Sequence, residues 1–150
     1  MLVTNIIDIS EILSLQKEAF YEEAVKHNDL LMQPMVQTLK EIEEEFNTNT
    51  IFFKKEIDNQ IVGSVRAYVE NKICFIGKLV VAKEYQKRGV AIFLMNELEE
   101  YFCNQCTKFK LFTGEKSTNA INLYKKLGFS IINIQKVGSY NLVHFEKNIS

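Results

Sequence analysis

The chain has 150 residues, 47% hydrophobic and 25% charged, with a formal net charge of −1. That length suits one domain over residues 1–150 with its own core, and the scattered lysines and arginines form no basic stripe for nucleic acid. No apolar run is long enough to span a bilayer, the start MLVTNIIDIS lacks the pattern of a signal peptide, and three cysteines without a secretion signal predict a reducing, cytoplasmic setting.

Residues 2–9 read as a first strand, with Ser10 as the N-cap of a helix running to about Lys26. Its apolar positions Ile12, Leu15, Ala19 and Phe20 recur at helical spacing. Pro34 can open a second helix, with Val36, Leu39, Ile42 and Phe46 as its burial candidates and Asn47-Thr48-Asn49 as its end. The acidic run from Glu41 to Glu45 reads as a solvated face of that helix. Strands 50–56 and 60–70 flank the turn Asp58-Asn59, and Asn71-Lys72 makes another turn. The nearly all-apolar run 73–81 predicts a central strand. A helix over 89–104 follows, with Leu94, Leu98, Tyr101 and Phe102 on one side, and then a strand over 108–113. Ser117 or Thr118 caps a helix that ends at Gly128, and strands 129–137 and 140–147 pair across Gly138-Ser139. The order β-α-α-β-β-β-α-β-α-β-β predicts an α/β (α+β) fold with a mixed sheet of about seven strands and helices on both faces. No Pro-, Gly- or Ser-rich linker and no repeat interrupts it.

The segment from Leu79 to Ala91 carries the most chemistry. An apolar strand runs into a short turn, and Gln86-x-x-Gly89-x-Ala91 opens an amphipathic helix. A glycine-bearing turn at a helix start offers unpaired N–H groups with the positive end of the helix dipole behind them, a setting for a phosphate. Read alone, it is equally an ordinary helix start. It is not Gly-x-Gly-x-x-Gly, which disfavours a dinucleotide fold. Cys103-x-x-Cys106 is a single pair at a helix C-terminus, away from the N-terminal position that activates redox thiols, and no metal site is expected.

The element order, the Gln86-x-x-Gly89-x-Ala91 turn after strand 73–81, and Tyr124-x-x-x-Gly128-Phe129 near the end resemble the GNAT superfamily of N-acetyltransferases, over nearly the whole chain. The resemblance implies the acyl-CoA N-acyltransferase fold, with acetyl-CoA as co-substrate and no metal. It implies that N–H groups of Gln86, Lys87, Arg88, Gly89, Val90, Ala91 and Ile92 cradle the pyrophosphate, with added charge from Lys87 and Arg88. Leu79, Val80 and Val81 would splay from strand 108–113 and bond the pantetheine arm like an added strand. Tyr124 would be the general acid that protonates the departing thiolate. Ser117, or Asn119 in its place, would contact the cofactor where many members carry asparagine. Ala91 and Lys83 also depart from the common pattern, at positions where glycine and proline are frequent.

The general base is unassigned: Glu70, Glu84 and His144 are candidates, with His27 and Tyr140 beside them. The expected reaction is direct attack by a primary amine of an unidentified small molecule or peptide, in a ternary complex. The competing expectation is a non-catalytic module that binds or senses acyl-CoA. A monomer or a homodimer is expected, with no nucleic-acid or membrane partner.

Overall fold

Two turns with both central residues at positive φ set the register of the first three strands. Asp58 and Asn59 (φ +52° and +63°) join β1 (Ile51–Ile57) to β2 (Gln60–Glu70). Asn71 and Lys72 (φ +51° and +63°) join β2 to β3 (Ile73–Val81). Paired positive φ values match the right-handed twist of antiparallel strands, and Asn and Asp tolerate them best. These elements belong to a computed structural model that describes residues 1–149.

The remaining elements are α1 (Ile7–Lys26), α2 (Gln33–Val36), α3 (Leu39–Asn47), α4 (Val90–Phe102), β4 (Lys108–Gly114), α5 (Thr118–Lys126), β5 (Ser130–Val137) and β6 (Tyr140–Asn148). The strands form one six-stranded sheet in the order β1-β2-β3-β4-β6-β5. Only β3 and β4 run parallel, joined by the crossover helix α4.

The sheet has six strands rather than seven because residues 2–9 do not form a strand. Asn5 turns the chain early: its side chain accepts the Ile7 N–H (3.0 Å) and its carbonyl accepts the Asp8 N–H (3.1 Å). Helix α1 therefore starts at Ile7, and only a single bridge, Leu2 to Phe53, remains of the expected pairing. The single helix expected after Pro34 is also two. Thr38 caps α3 through a reciprocal capping box with Glu41, which ends the short α2 beforehand. As a result Val36 and Leu39 are exposed, while Ile42 is buried.

Helices cover both faces of the sheet. On one face Leu94, Met95, Leu98 and Phe102 of α4 pack on Val65, Cys74, Ile76 and Phe109, joined by Tyr124 and Phe129 at the end of α5. On the other face Ile9, Ile12 and Leu15 of α1 and Ile42 of α3 pack on Phe52, Ile61 and Val80. Each fully buried aliphatic or aromatic side chain stabilises by roughly 1.5–3 kcal/mol. Tyr101, expected on the buried side of α4, is partly exposed and stacks edge-on against Phe53 and Phe102. Gly63 lets the start of α4 approach the sheet closely, since a Cβ there would lie 2.6 Å from the Val90 side chain.

Candidate functional site

Strands β3 and β4 pair over three residues only, Ile73–Phe75 against Lys108–Lys110. Beyond them β4 stays on β6 and β3 stays on β2, so the strands part. From Ile76 onward one edge of β3 has no strand partner among the described residues. A bulge adds to the divergence: Ser64 faces Val80 and Arg66 faces Gly77, so β3 carries one residue more than β2. Lys78 occupies that bulge with φ +54°. The gap widens into a cleft of about 1370 Å³ that reaches the start of α4, the α5 helix and the C-terminal half of α1.

At one end of the cleft is the turn before α4. Gly89 takes the left-handed conformation (φ +82°) and its carbonyl accepts the Phe93 N–H (2.9 Å). Among the described residues, the N–H groups from Lys87 to Ile92 find no acceptor in the protein. The Gln86 side chain braces the turn by donating to the Val81 carbonyl (3.3 Å). Leu79, Val80, Val81, Gln86, Lys87, Gly89, Val90, Ala91 and Ile92 all line the cleft. Arg88 does not; its guanidinium lies over the Tyr85 ring.

Tyr124-x-x-x-Gly128-Phe129 has a specific physical meaning. The Phe129 N–H donates to the Tyr124 carbonyl (2.9 Å) and the Gly128 N–H to the Lys125 carbonyl (3.1 Å). With Gly128 at φ +95° and the Tyr124 and Phe129 rings 6.1 Å apart, this is a Schellman stop with its apolar contact. The motif thus fixes the end of α5 and locks the Tyr124 ring between Phe129 and Phe145. Tyr124 lines the cleft and is buried. Burial, and then the Glu23 carboxylate, push its phenol well above the usual range, so it stays protonated at neutral pH.

Glu23 is the carboxylate the sequence reading missed. It lines the cleft from α1 and accepts a hydrogen bond from the buried Ser117 hydroxyl. Ser117 therefore faces α1, whereas Asn119 lines the cleft with an exposed side chain. His27 anchors this corner. Its Nε2 accepts the Lys116 N–H (3.1 Å), so Nδ1 carries the proton and donates to the Glu23 carbonyl (2.7 Å). Both ring nitrogens are occupied, which removes His27 as a base. Gly114 makes room for that ring, since a Cβ would come within 2.2 Å of it. Tyr140 donates to Asp29 (3.0 Å) and packs edge-on against His27.

The base candidates separate. His144 lines the cleft, 2.8 Å from the Gln135 amide oxygen. Glu70 ends β2 outside the cleft, and Glu84 borders a small depression on the far side of the 83–85 turn. Glu45 departs from the solvated face expected of its acidic run, for it turns inward to hold the buried Arg66 (3.1 Å). Gln16 and Gln37 accept from the same guanidinium at 2.8 and 2.9 Å. None of the three cysteines lines the cleft; burial raises the Cys74 and Cys106 thiols above their usual range, and Cys103 is exposed.

Known structures share this architecture. A protein from Streptococcus mutans UA159, smu.2055, superposes with a TM-score of 0.85 at 18% identity, covering 100% of this chain and 99% of that one. The ribosomal-protein-S18-alanine N-acetyltransferase from Escherichia coli superposes at 0.82 with 15% identity, covering 100% and 95%. The PaiA N-acetyltransferase from Thermoplasma acidophilum, in complex with coenzyme A, superposes at 0.76 with 16% identity, covering 99% and 98%. At these identities the likeness speaks for the fold. The sequence profile of the acetyltransferase (GNAT) family matches residues 9–129, most of the chain, and the chain therefore belongs to the GNAT acetyltransferase family.

Proposed function

We propose that this chain is an acetyl-CoA-dependent N-acetyltransferase that acts by direct attack of a primary amine in a ternary complex. The observation that carries the reading is one continuous cleft lined by the 87–92 turn with its unpaired N–H groups, by the parted segment of β3 and by Tyr124. The pyrophosphate would take the N–H groups, and the pantetheine arm would pair along β3. An N–H of Leu79–Val81 would stabilise the oxyanion of the tetrahedral intermediate. Asn119 suits the cofactor contact better than Ser117, whose hydroxyl is already spent on Glu23.

The amine nitrogen bonds to the acetyl carbon, and collapse of the intermediate breaks the carbon–sulfur bond. A thiol with pKa of about 8.5 is protonated in the product at neutral pH, and Tyr124, still protonated, assists its departure by supplying that proton. The incoming amine, with a pKa of about 10, arrives mostly as ammonium and must lose a proton. Glu23 is the carboxylate nearest this chemistry by its influence on Tyr124, and we assign it the anchoring and deprotonation of the ammonium. Direct transfer fits a cleft with no cysteine in its lining.

The test joins thermal melting with acetyl-CoA, using dephospho-coenzyme A as control, to coenzyme A release over an amine panel. A stabilised protein that releases coenzyme A only when an amine is present is the expected result. Tight binding without turnover on any amine would support the non-catalytic acyl-CoA module instead. No thermal response at saturating cofactor would overturn both.

A further inference from the structure

Several buried and half-buried cations of this protein are ion-paired, whereas Lys17, Lys55, Lys78 and Lys110 are half-buried without an ion pair among the described residues, and of these Lys78 and Lys110 line the cleft. Lys54 holds Asp8 and Glu56 at 2.6 Å each, Arg66 holds Glu45 at 3.1 Å, and Lys147 holds Glu99 at 2.8 Å. Lys78 is half-buried, lines the cleft and makes no ion pair or side-chain hydrogen bond among the described residues. A charge held away from water without a partner is costly, and such charges gather where a ligand completes them. Its backbone is unusual as well. Lysine at φ +54° inside a strand is a conformation that L side chains avoid, and the β3 bulge imposes it here.

The carboxylate that could neutralise Lys78 is already committed. Glu45 is shared between Arg66 and the Gln37 amide, and Arg66 in turn is filled by Glu45, Gln16 and Gln37. Arg66 and Glu45 cancel as a pair, which leaves Lys78 beside them without a counter-charge. Burial, and then the neighbouring Arg66, pull the Lys78 ammonium down to about 8, against a weaker pull upward from Glu45. It therefore keeps its proton at neutral pH. Glu23, also in the lining of the cleft, offers a carboxylate whose one ion-pair neighbour among the described residues is the exposed Lys26, at 3.8 Å. The lining of the cleft thus holds both a cation without an ion pair, Lys78, and a carboxylate, Glu23.

We propose that the acceptor is an amine that also carries a carboxylate, with Lys78 binding the carboxylate while Glu23 holds the ammonium. Lys78 is thereby a specificity-determining residue, and the acceptor class is an amino acid or an acidic peptide residue. The proposal rests on the acetyltransferase reading above and is tested with a readout that does not need turnover.

The first experiment follows Lys78 by NMR of reductively 13C-methylated protein saturated with acetyl-CoA, titrated with glutarate or with neutral glutaramide. The Lys78 resonance, assigned by its loss in Lys78→Met, should move with glutarate and stay with glutaramide. No response to glutarate overturns the proposal whether or not the protein turns over. The second experiment measures kcat/KM for free amino acids and acidic dipeptides, each paired with its carboxamide. Wild type should favour the acid by about tenfold or more, the scale of one charge-assisted hydrogen bond. Lys78→Met should collapse that ratio and Lys78→Arg should keep it. Equal use of acid and amide by wild type, or a ratio unchanged in Lys78→Met, overturns the proposal. The two arms, free amino acid and dipeptide, identify which source carries the carboxylate.

Discussion

At the α4 end of the cleft the lining is main chain: consecutive N–H groups, a left-handed glycine and the open edge of β3. At the α1 end it is side chains drawn from distant segments: Glu23 and His27 from α1, Arg66 from β2, Lys78 from β3 and Tyr140 from β6. A backbone site depends on local conformation, so a short motif suffices to build it and most side chains in it can vary. A side-chain site depends on tertiary assembly, and changing one residue changes what it recognises. That division lets one fold keep a cofactor while its acceptor changes.

The largest effect should come where the two ends meet. Tyr124→Phe removes the proton donor and keeps the ring that packs on Phe129 and Phe145. Turnover should fall by about 100-fold or more, the usual range for a general acid, with acetyl-CoA affinity nearly intact. Single-turnover rates and calorimetry read the two separately, and an unchanged rate would take Tyr124 out of the chemistry. Next comes the main-chain end itself. Gly89→Val forces a β-branched residue into left-handed backbone at a cost of roughly 1–2 kcal/mol, so acetyl-CoA binding should weaken by about 10-fold. Lys87→Ala, which changes only a side chain on the same turn, should weaken it by less. If the two variants weaken binding equally, the contrast between backbone and side-chain ends fails.

A smaller effect tests the packing behind the acceptor end. Gly114→Ala drives a methyl group into the His27 ring, and overpacking costs typically about 1–3 kcal/mol. The melting temperature should drop by about 2–4 °C for each of those kcal/mol. Because His27 bonds the backbone at both Glu23 and Lys116, acceptor KM should rise more than the acetyl-CoA dissociation constant. The smallest effect concerns Lys78. Its folded pKa lies below its unfolded value, so the unfolded chain binds the extra proton between about pH 8 and pH 10.5. The native state bears the full penalty below pH 8 and loses it as pH climbs through that window. Lys78→Met should therefore melt slightly higher than wild type at pH 7, with the difference fading toward pH 10.5. A constant difference across that range would show that the ammonium is not under strain.

The sheet, its turns and the glycine-bearing turn before α4 were legible because each rests on neighbours in sequence. Asp58-Asn59, Asn71 and Gly138 announce their positive φ values by residue type, and Gly128 announces the end of α5. The break between α2 and α3 was also written in the chain, as Thr38-x-x-Glu41, a capping box hidden by the acidic run that follows. Residues 2–9 misled because β-branched residues such as Val3, Thr4, Ile6, Ile7 and Ile9 suit a strand, while Asn5 at the right offset starts a helix. Lys78 could not be read at all. Nothing in its residue type signals left-handed backbone; the bulge arises from the register that β2 imposes. Glu23 was one acidic residue among several on α1, and only the approach of Ser117 from the far end of the chain distinguishes it.

The three-residue seam between β3 and β4 has a consequence for how the molecule breathes. On the α4 face the two halves of the sheet share one packed core, but within the sheet itself almost nothing joins them beyond Phe75 and Lys110. The unliganded protein should therefore open in two cooperative units, β1–β3 and β4–β6–β5, with amide hydrogens of β4 and β6 exchanging sooner than those of β1 and β2. A ligand lying along β3 would act as the missing strand between them. Its arrival should raise protection on both sides of the seam together and turn two foldons into one.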